Sequence, residues 1–217
     1  MPRTITFYFD VISPYAYLAW TQIHTVAERH DATVEPVPVL FAGLLNHHGQ
    51  KGPAEIPAKR VWVFKELARR SRMVGVPLAF PKTHPFNPLT ALRAVSATPM
   101  AARRALIDAL FAVVWGGSDA RGLEEPDAVR DAATRAGMDG EALIASTRTP
   151  EVKAALRATT ERAIEAGVFG VPTMQIGDEL FFGLDSLDLV ELHLRGQDPL
   201  PGDLMEQLAK LSPSAER

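Results

Sequence analysis

The sequence predicts an α/β protein in which a β-α-β unit at the start and a β-β-α unit at the end share one sheet, with a block of helices between them. Three observations predict this. Residues 4–9 alternate in polarity and run directly into a capped amphipathic helix. The long middle stretch has helical spacing broken by prolines. Residues 173–182 return to two short apolar runs around a Gly-Asp pair. With 217 residues, 47% of them hydrophobic, the chain can form one large domain or one domain with a substantial insertion.

Ile5, Phe7 and Phe9 alternate with Thr4, Thr6 and Tyr8, the period-two pattern of a strand with one buried face. Ser13 then reads as a helix N-cap and Pro14 as N1, because proline lacks an N–H that the first turn cannot use. Ala16, Ala19, Ile23 and Val26 continue that helix. Thr33 to Leu40 reads as a second strand, placed at a sheet edge because Pro36 and Pro38 each remove a ladder donor. From Phe41 to Gln50 the pattern becomes irregular, and the loop NHHGQKGP marks a domain junction.

Helices are then expected over Ile56 to Arg72, Pro88 to Ala97 and Ala101 to Trp115, with four prolines in VGVPLAFPKTHPFNP breaking the chain between the first two. Pro126 opens another helix that Gly137 closes, and Asp139 caps a short one. Thr149 and Pro150 start a helix that ends at Gly167. Thr173 to Ile176 and Glu179 to Phe182 are strands joined by Gly177-Asp178. Asp185 is expected to cap a last helix carrying Leu187, Val190 and Leu194, with Asp188 at N3. Without its helical block, this order leaves a thioredoxin-like sheet. The expected division is residues 1–45 and 167–217 for that unit and 46–166 for the insertion.

The net charge is −3 and the pI about 6.1, with cations and anions interspersed, so no basic face for nucleic acid is visible and a small-molecule partner is expected. The absence of cysteine removes disulfides, thiolate metal sites and thiol chemistry using the protein's own sulfur. His47 and His48 are read as a solvated loop, not a metal pair, because adjacent side chains diverge. The first strand begins at once, leaving no room for a signal peptide, and no apolar run is long enough to span a membrane, so the expectation is a cytoplasmic protein.

FYFDVISPYAYLA, GPAEIPAKR, HPFNPLTALRA and GVFGVPTMQIGDELFFGLDSLD, in this order, resemble the 2-hydroxychromene-2-carboxylate isomerases, relatives of kappa-class glutathione transferases in the DsbA-like superfamily. The resemblance spans nearly the whole chain. It implies a thioredoxin-like fold with an inserted helical domain, glutathione as cofactor, and Ser13 as the catalytic residue where disulfide oxidoreductases keep their attacking cysteine. A hydroxyl bonded to the ligand's sulfur, at a helix N-terminus, favours the thiolate.

The resemblance further implies that Pro172 is cis and that Val171 offers its backbone to the cysteinyl part of glutathione. Gly183, Leu184, Asp185 and Ser186 are implied at the γ-glutamyl end, with Asp185 pairing with its ammonium group; many relatives carry Arg where this chain has Ser186. Gln50 falls where relatives often place Asn near the glutathione backbone, and Asn46 where Lys is common. Asn87 is the candidate contact for the organic substrate, with Lys59, His84 and Arg93 as candidate carboxylate partners.

The function expected is glutathione-dependent isomerisation of an aromatic 2-oxo acid such as 2-hydroxychromene-2-carboxylate, in aromatic-compound catabolism and as a homodimer. No motif places a His-Asp pair beside Ser13 to make it a covalent nucleophile. A kappa-like transferase or peroxidase would use the same site, and a non-catalytic thioredoxin-fold binding module is the rival from another class.

Overall fold

The computed structural model describes residues 3–117 and 120–211; the ends of the expected first and last segments, residues 1–2 and 212–217, lie outside these. Four strands form one mixed sheet in the order β2-β1-β3-β4. Strands β1 (Arg3–Phe9) and β2 (Ala32–Pro38) pair in parallel through helix α1 (Pro14–Arg29), with Ile5 opposite Val34 and Phe7 opposite Pro36. β3 (Thr173–Ile176) runs antiparallel to β1, with Phe7 opposite Met174, and β4 (Glu179–Phe182) runs antiparallel to β3. The prolines of β2 sit on the outer edge as expected. Gly177 makes the hairpin with φ 60°, a conformation glycine adopts without strain.

Ile5, Phe7 and Phe9 are fully buried against α1, where Phe7 and Phe9 pack on Trp20 and Phe9 on Phe111. The indole of Trp20 donates to Asp108 Oδ1 at 2.6 Å, so the ring is fixed at its polar end as well. The expectation of one buried face for β1 holds only in part. Tyr8 is also buried, in a second cluster with Val39, Leu44, Ala163 and Val168, so the C-terminal end of β1 is covered on both faces.

Helix α2 (Phe41–His47) forms where the sequence looked irregular, and it runs through the expected boundary at residue 45. Its first N–H groups are met from elsewhere: Phe41 N donates to Asp10 Oδ2 and Leu40 N to Thr160 Oγ1, each at 3.0 Å. The helical block comprises α3 (Pro57–Val74), α4 (Leu89–Ala97), α5 (Met100–Phe111), α6 (Pro126–Arg135), α7 (Gly140–Ser146) and α8 (Pro150–Glu165). Beyond Phe111, residues Ala112–Gly116 widen into a π turn where a continuous helix was expected, and the indole N–H of Trp115 there donates to Val11 O. Apolar side chains from the sheet, α1 and this block form one continuous core.

The caps read from Ser13, Asp139 and Thr149 are present, each accepting a backbone N–H of its own helix. Asp185 is not a cap. Gly183, at φ 95°, turns the chain into a short 3-10 segment, Leu184–Ser186, and only then does α9 (Leu187–Leu194) begin, with Asp188 in its first turn. A short α10 (Leu204–Leu208) follows. Among the described residues no helix is long and apolar enough to cross a membrane.

Candidate active site

The turn between β1 and α1 fixes Ser13. The N–H of Ser13 bonds Asp10 O at 3.0 Å, and the Asp10 side chain, fully buried, accepts from Ile12 N at 3.0 Å and from Phe41 N. One carboxyl therefore ties the Ser13 turn to the start of α2. Burial pushes that carboxyl up to about 7, against the opposing effect of its two backbone N–H bonds.

Ser13 Oγ accepts from Ala16 N at 3.2 Å, the N-cap bond, and its own proton is aimed at Val171 O over 3.5 Å. An O–H bond of that length is well beyond the usual 2.7–2.8 Å. One acceptor lone pair of the oxygen is thus committed to the helix while its proton stays available to an incoming anion, so the cap and a chemical role are compatible. The α1 macrodipole favours negative charge at the same place. The Val171–Pro172 peptide is cis, as the resemblance implied, and Pro172 O accepts from Gly183 N at 2.9 Å.

A cavity of about 550 Å³ opens beside Ser13, within the range of small-molecule sites. Val171, Asn46, Gln50, Asn87 and His84 line it with Ser13, so the structure gathers these sequence candidates together. Asn87 Oδ1 is engaged by Leu89 N at 3.0 Å. Pro172, Gly183, Leu184, Asp185, Ser186, Lys59 and Arg93 do not line the cavity. Ser186 Oγ is turned to Phe182 O at 2.5 Å, and Leu184 is buried. Asp185 is exposed and close enough to Tyr15, which does line the cavity, and to Arg70 to oppose ionisation of the first and favour the charge of the second. Tyr15, pushed up by burial and by Glu66, remains a neutral phenol.

His84 enters from the proline-rich segment through a second cis bond, His84–Pro85, and its Nε2 meets Ile12 O at 3.1 Å. Phe64, Phe86 and Trp115 surround the ring, and its Nδ1 is buried without a partner. Burial pulls its pKa below the ordinary value; the Ile12 carbonyl opposes this and Arg60 adds to it. His84 is therefore a neutral donor to the backbone beside Ser13 and a poor partner for a carboxylate. His47 and His48 do not diverge: their rings meet edge to face with centroids 4.8 Å apart, and His48 Nε2 lies 3.4 Å from Val168 O.

Sequence reasoning missed Asp10, Tyr15, Arg60, Phe64 and Glu66. Asp10 carried a signal, an acidic residue ending an apolar strand, since such a charge is rarely buried without a purpose. Arg60 did not stand out from Lys59, yet one residue on a helix is a turn of about 100°, and only Arg60 faces the cavity with Val63 and Phe64.

A thioredoxin-like sheet with a hydroxyl at the α1 N-cap, facing a cis-proline turn, defines the class. Residues 4–195 match the DSBA-like thioredoxin domain, and the chain belongs to that family. It is 32% identical over 197 residues to the 2-hydroxychromene-2-carboxylate isomerase of Sphingobium xenophagum, covering 89% of this chain and 99% of the relative. It is 29% identical to human glutathione S-transferase kappa 1 over 219 residues, 93% of this chain and 96% of that one. The solved structure of a 2-hydroxychromene-2-carboxylate isomerase superposes with a TM-score of 0.78 at 28% identity, covering 97% of this chain and all of that one. These relatives are enzymes, and they divide between isomerase and transferase.

Proposed function

We propose that the protein is a glutathione-dependent isomerase of an aromatic 2-oxo acid of the 2-hydroxychromene-2-carboxylate kind. The observation that carries this reading is Ser13: a hydroxyl at the mouth of a helix, with one acceptor lone pair in use, its proton in only a long hydrogen bond, and a cavity in front of it. The residues present fit glutathione. Val171 offers backbone polar groups next to Ser13, Gln50 and Asn46 bring side-chain amides to the same cavity, and Asp185 lies near Tyr15 for an ammonium group.

Glutathione supplies a thiol that, as thiolate, adds reversibly to a conjugated double bond and so lets that bond rotate. Ser13 Oγ–H donates to the sulfur and, with the N-terminus of α1, favours its ionised form; each unit by which a thiol's pKa falls raises the thiolate fraction near neutral pH by up to about tenfold. Burial raises the Asp10 carboxyl to about 7, which lessens the negative charge beneath that turn. Phe41, Phe86 and Leu89 exclude water from the organic substrate, and Asn87 keeps an amide N–H₂ free towards it. The reading carries with it a cytoplasmic setting, where glutathione is kept reduced, and a homodimer.

The test is Ser13→Ala. Alanine removes one cap bond, a loss of about 1 kcal/mol, so the protein still folds. Calorimetry should show glutathione bound by the parent, ultraviolet absorbance should show its thiolate fraction falling in the variant, and isomerisation of the chromene carboxylate should fall about tenfold or more. A variant that isomerises at the parent rate overturns the role of Ser13. Conjugate in place of an isomerised product moves the assignment to a kappa-like transferase, the activity named for the human relative, and oxidised glutathione moves it to a peroxidase.

A further inference from the structure

Besides Tyr15, a neutral phenol, four charged or titratable side chains line the cavity where Coulombic selection could operate: Asp10, Glu55, Arg60 and His84. Three are committed. Both oxygens of Asp10 accept backbone N–H groups, Glu55 Oε1 accepts from Gly52 N at 2.6 Å, and His84 Nε2 is engaged by Ile12 O. Arg60 is different. Among the described residues it forms no ion pair. Its guanidinium lies over the Phe64 ring, 5.7 Å from the centroid, which holds a long side chain in place while leaving its N–H groups free.

Phe64 is itself fixed, packed at 4.8 Å on Phe80 and 5.7 Å on His84, so the arm that carries the cation stands on a rigid aromatic platform. His84 in turn rests on the carbonyl of Ile12, the residue before Ser13. From the exposed Arg60 inward, the wall therefore runs from a free cation, over flat apolar surface, to the Ser13 turn. A planar aromatic ring with an anionic group at its outer end matches that sequence of chemistries.

We propose that Arg60 is the specificity-determining residue of the cavity, pairing with the carboxylate of an aromatic acid while the ring lies against Phe64 and its inner end reaches Ser13. The proposal rests on the functional reading above for the identity of the substrate, but not for the pairing itself. A guanidinium presents two parallel donors to a carboxylate, a geometry that a carboxamide or an ester does not match. Lys59 and Arg93, the cations picked out by the sequence, are not part of this wall.

The experiment is a fluorescence titration of the full chain, without glutathione, with naphthoate and with naphthamide, which share shape and differ in charge. The parent should bind naphthoate about tenfold more tightly than naphthamide. Arg60→Gln should abolish the preference by weakening naphthoate far more than naphthamide, and naphthamide that still binds reports an intact cavity. Arg60→Lys should restore part of the preference, and Lys59→Gln should leave all of it. A parent with no preference, or an Arg60→Gln protein that keeps it, overturns the proposal. If the preference follows Arg60 but glutathione neither binds nor supports isomerisation, the pairing stands and the functional reading alone fails.

Discussion

Replacing Asp10 with asparagine should make the protein's relative stability depend on pH with a sign set by burial. In the folded chain the carboxyl is held up to about 7 from its ordinary 3.8, first by desolvation. The protonated form is thus favoured by folding, so this contribution to stability is complete below 3.8 and is lost as pH rises through about 7. At 1.36 kcal/mol per pH unit, the loss amounts to about 4 kcal/mol. Asparagine carries no charge and does not incur it. Asparagine also has only one acceptor oxygen for the N–H groups of Ile12 and Phe41, and an unmatched buried donor costs about 1–3 kcal/mol.

Urea unfolding of both proteins across this pH range should therefore find Asp10→Asn the less stable below about pH 4, with the difference moving by about 4 kcal/mol in its favour by about pH 8. Because both proteins share every other titrating group, the change in that difference isolates Asp10. A difference that stays constant with pH would refute the reasoning, since the carboxyl would then ionise alike in the folded and unfolded chains.

Two further outcomes are expected. His84 should remain neutral at its ordinary pKa of 6.5. Its contribution to stability is then full above that value and lost as pH falls through the lower folded one, and a ring titration by NMR with a midpoint at or above 6.5 would contradict the packing described. Gly140→Ala should lower the thermal midpoint by several degrees, because a Cβ there meets Arg130 O at 2.7 Å, a backbone atom unable to give way, and overpacking of this kind costs about 1–3 kcal/mol. Glutathione affinity, measured by calorimetry on the same variant, should not change, as this glycine does not line the cavity.

Much of this was legible in the residues because the signals were local. The alternation of Ile5, Phe7 and Phe9, the Ser13-Pro14 start and the Thr149-Pro150 start each act within one turn or one strand. Helix α2 was not legible because FAGLLNH has no cap of its own; its first donors are satisfied by Asp10 and Thr160, distant in sequence. Asp185 looked like a cap by spacing, yet the positive φ of Gly183 inserts a 3-10 segment that shifts the helix start past it. At the site, Ser13, Val171 and Asn87 could be picked out by motif. Arg60 could not, because choosing it over Lys59 requires the rotation of α3 against the cavity, which packing sets.

Two parts of the cavity wall come from separate stretches of chain. The hydroxyl turn belongs to the strand-helix unit at the start, anchored in the sheet, whereas Arg60, His84 and Asn87 ride on α3 and the proline-rich segment after it. Exchanging residues 76–88 around His84, whose bond to Ile12 O supports the Ser13 turn, would reshape the outer wall without disturbing a single sheet ladder. A lineage carrying this scaffold can therefore diversify what it accepts while conserving how it reacts, and a protein engineer can follow the same route.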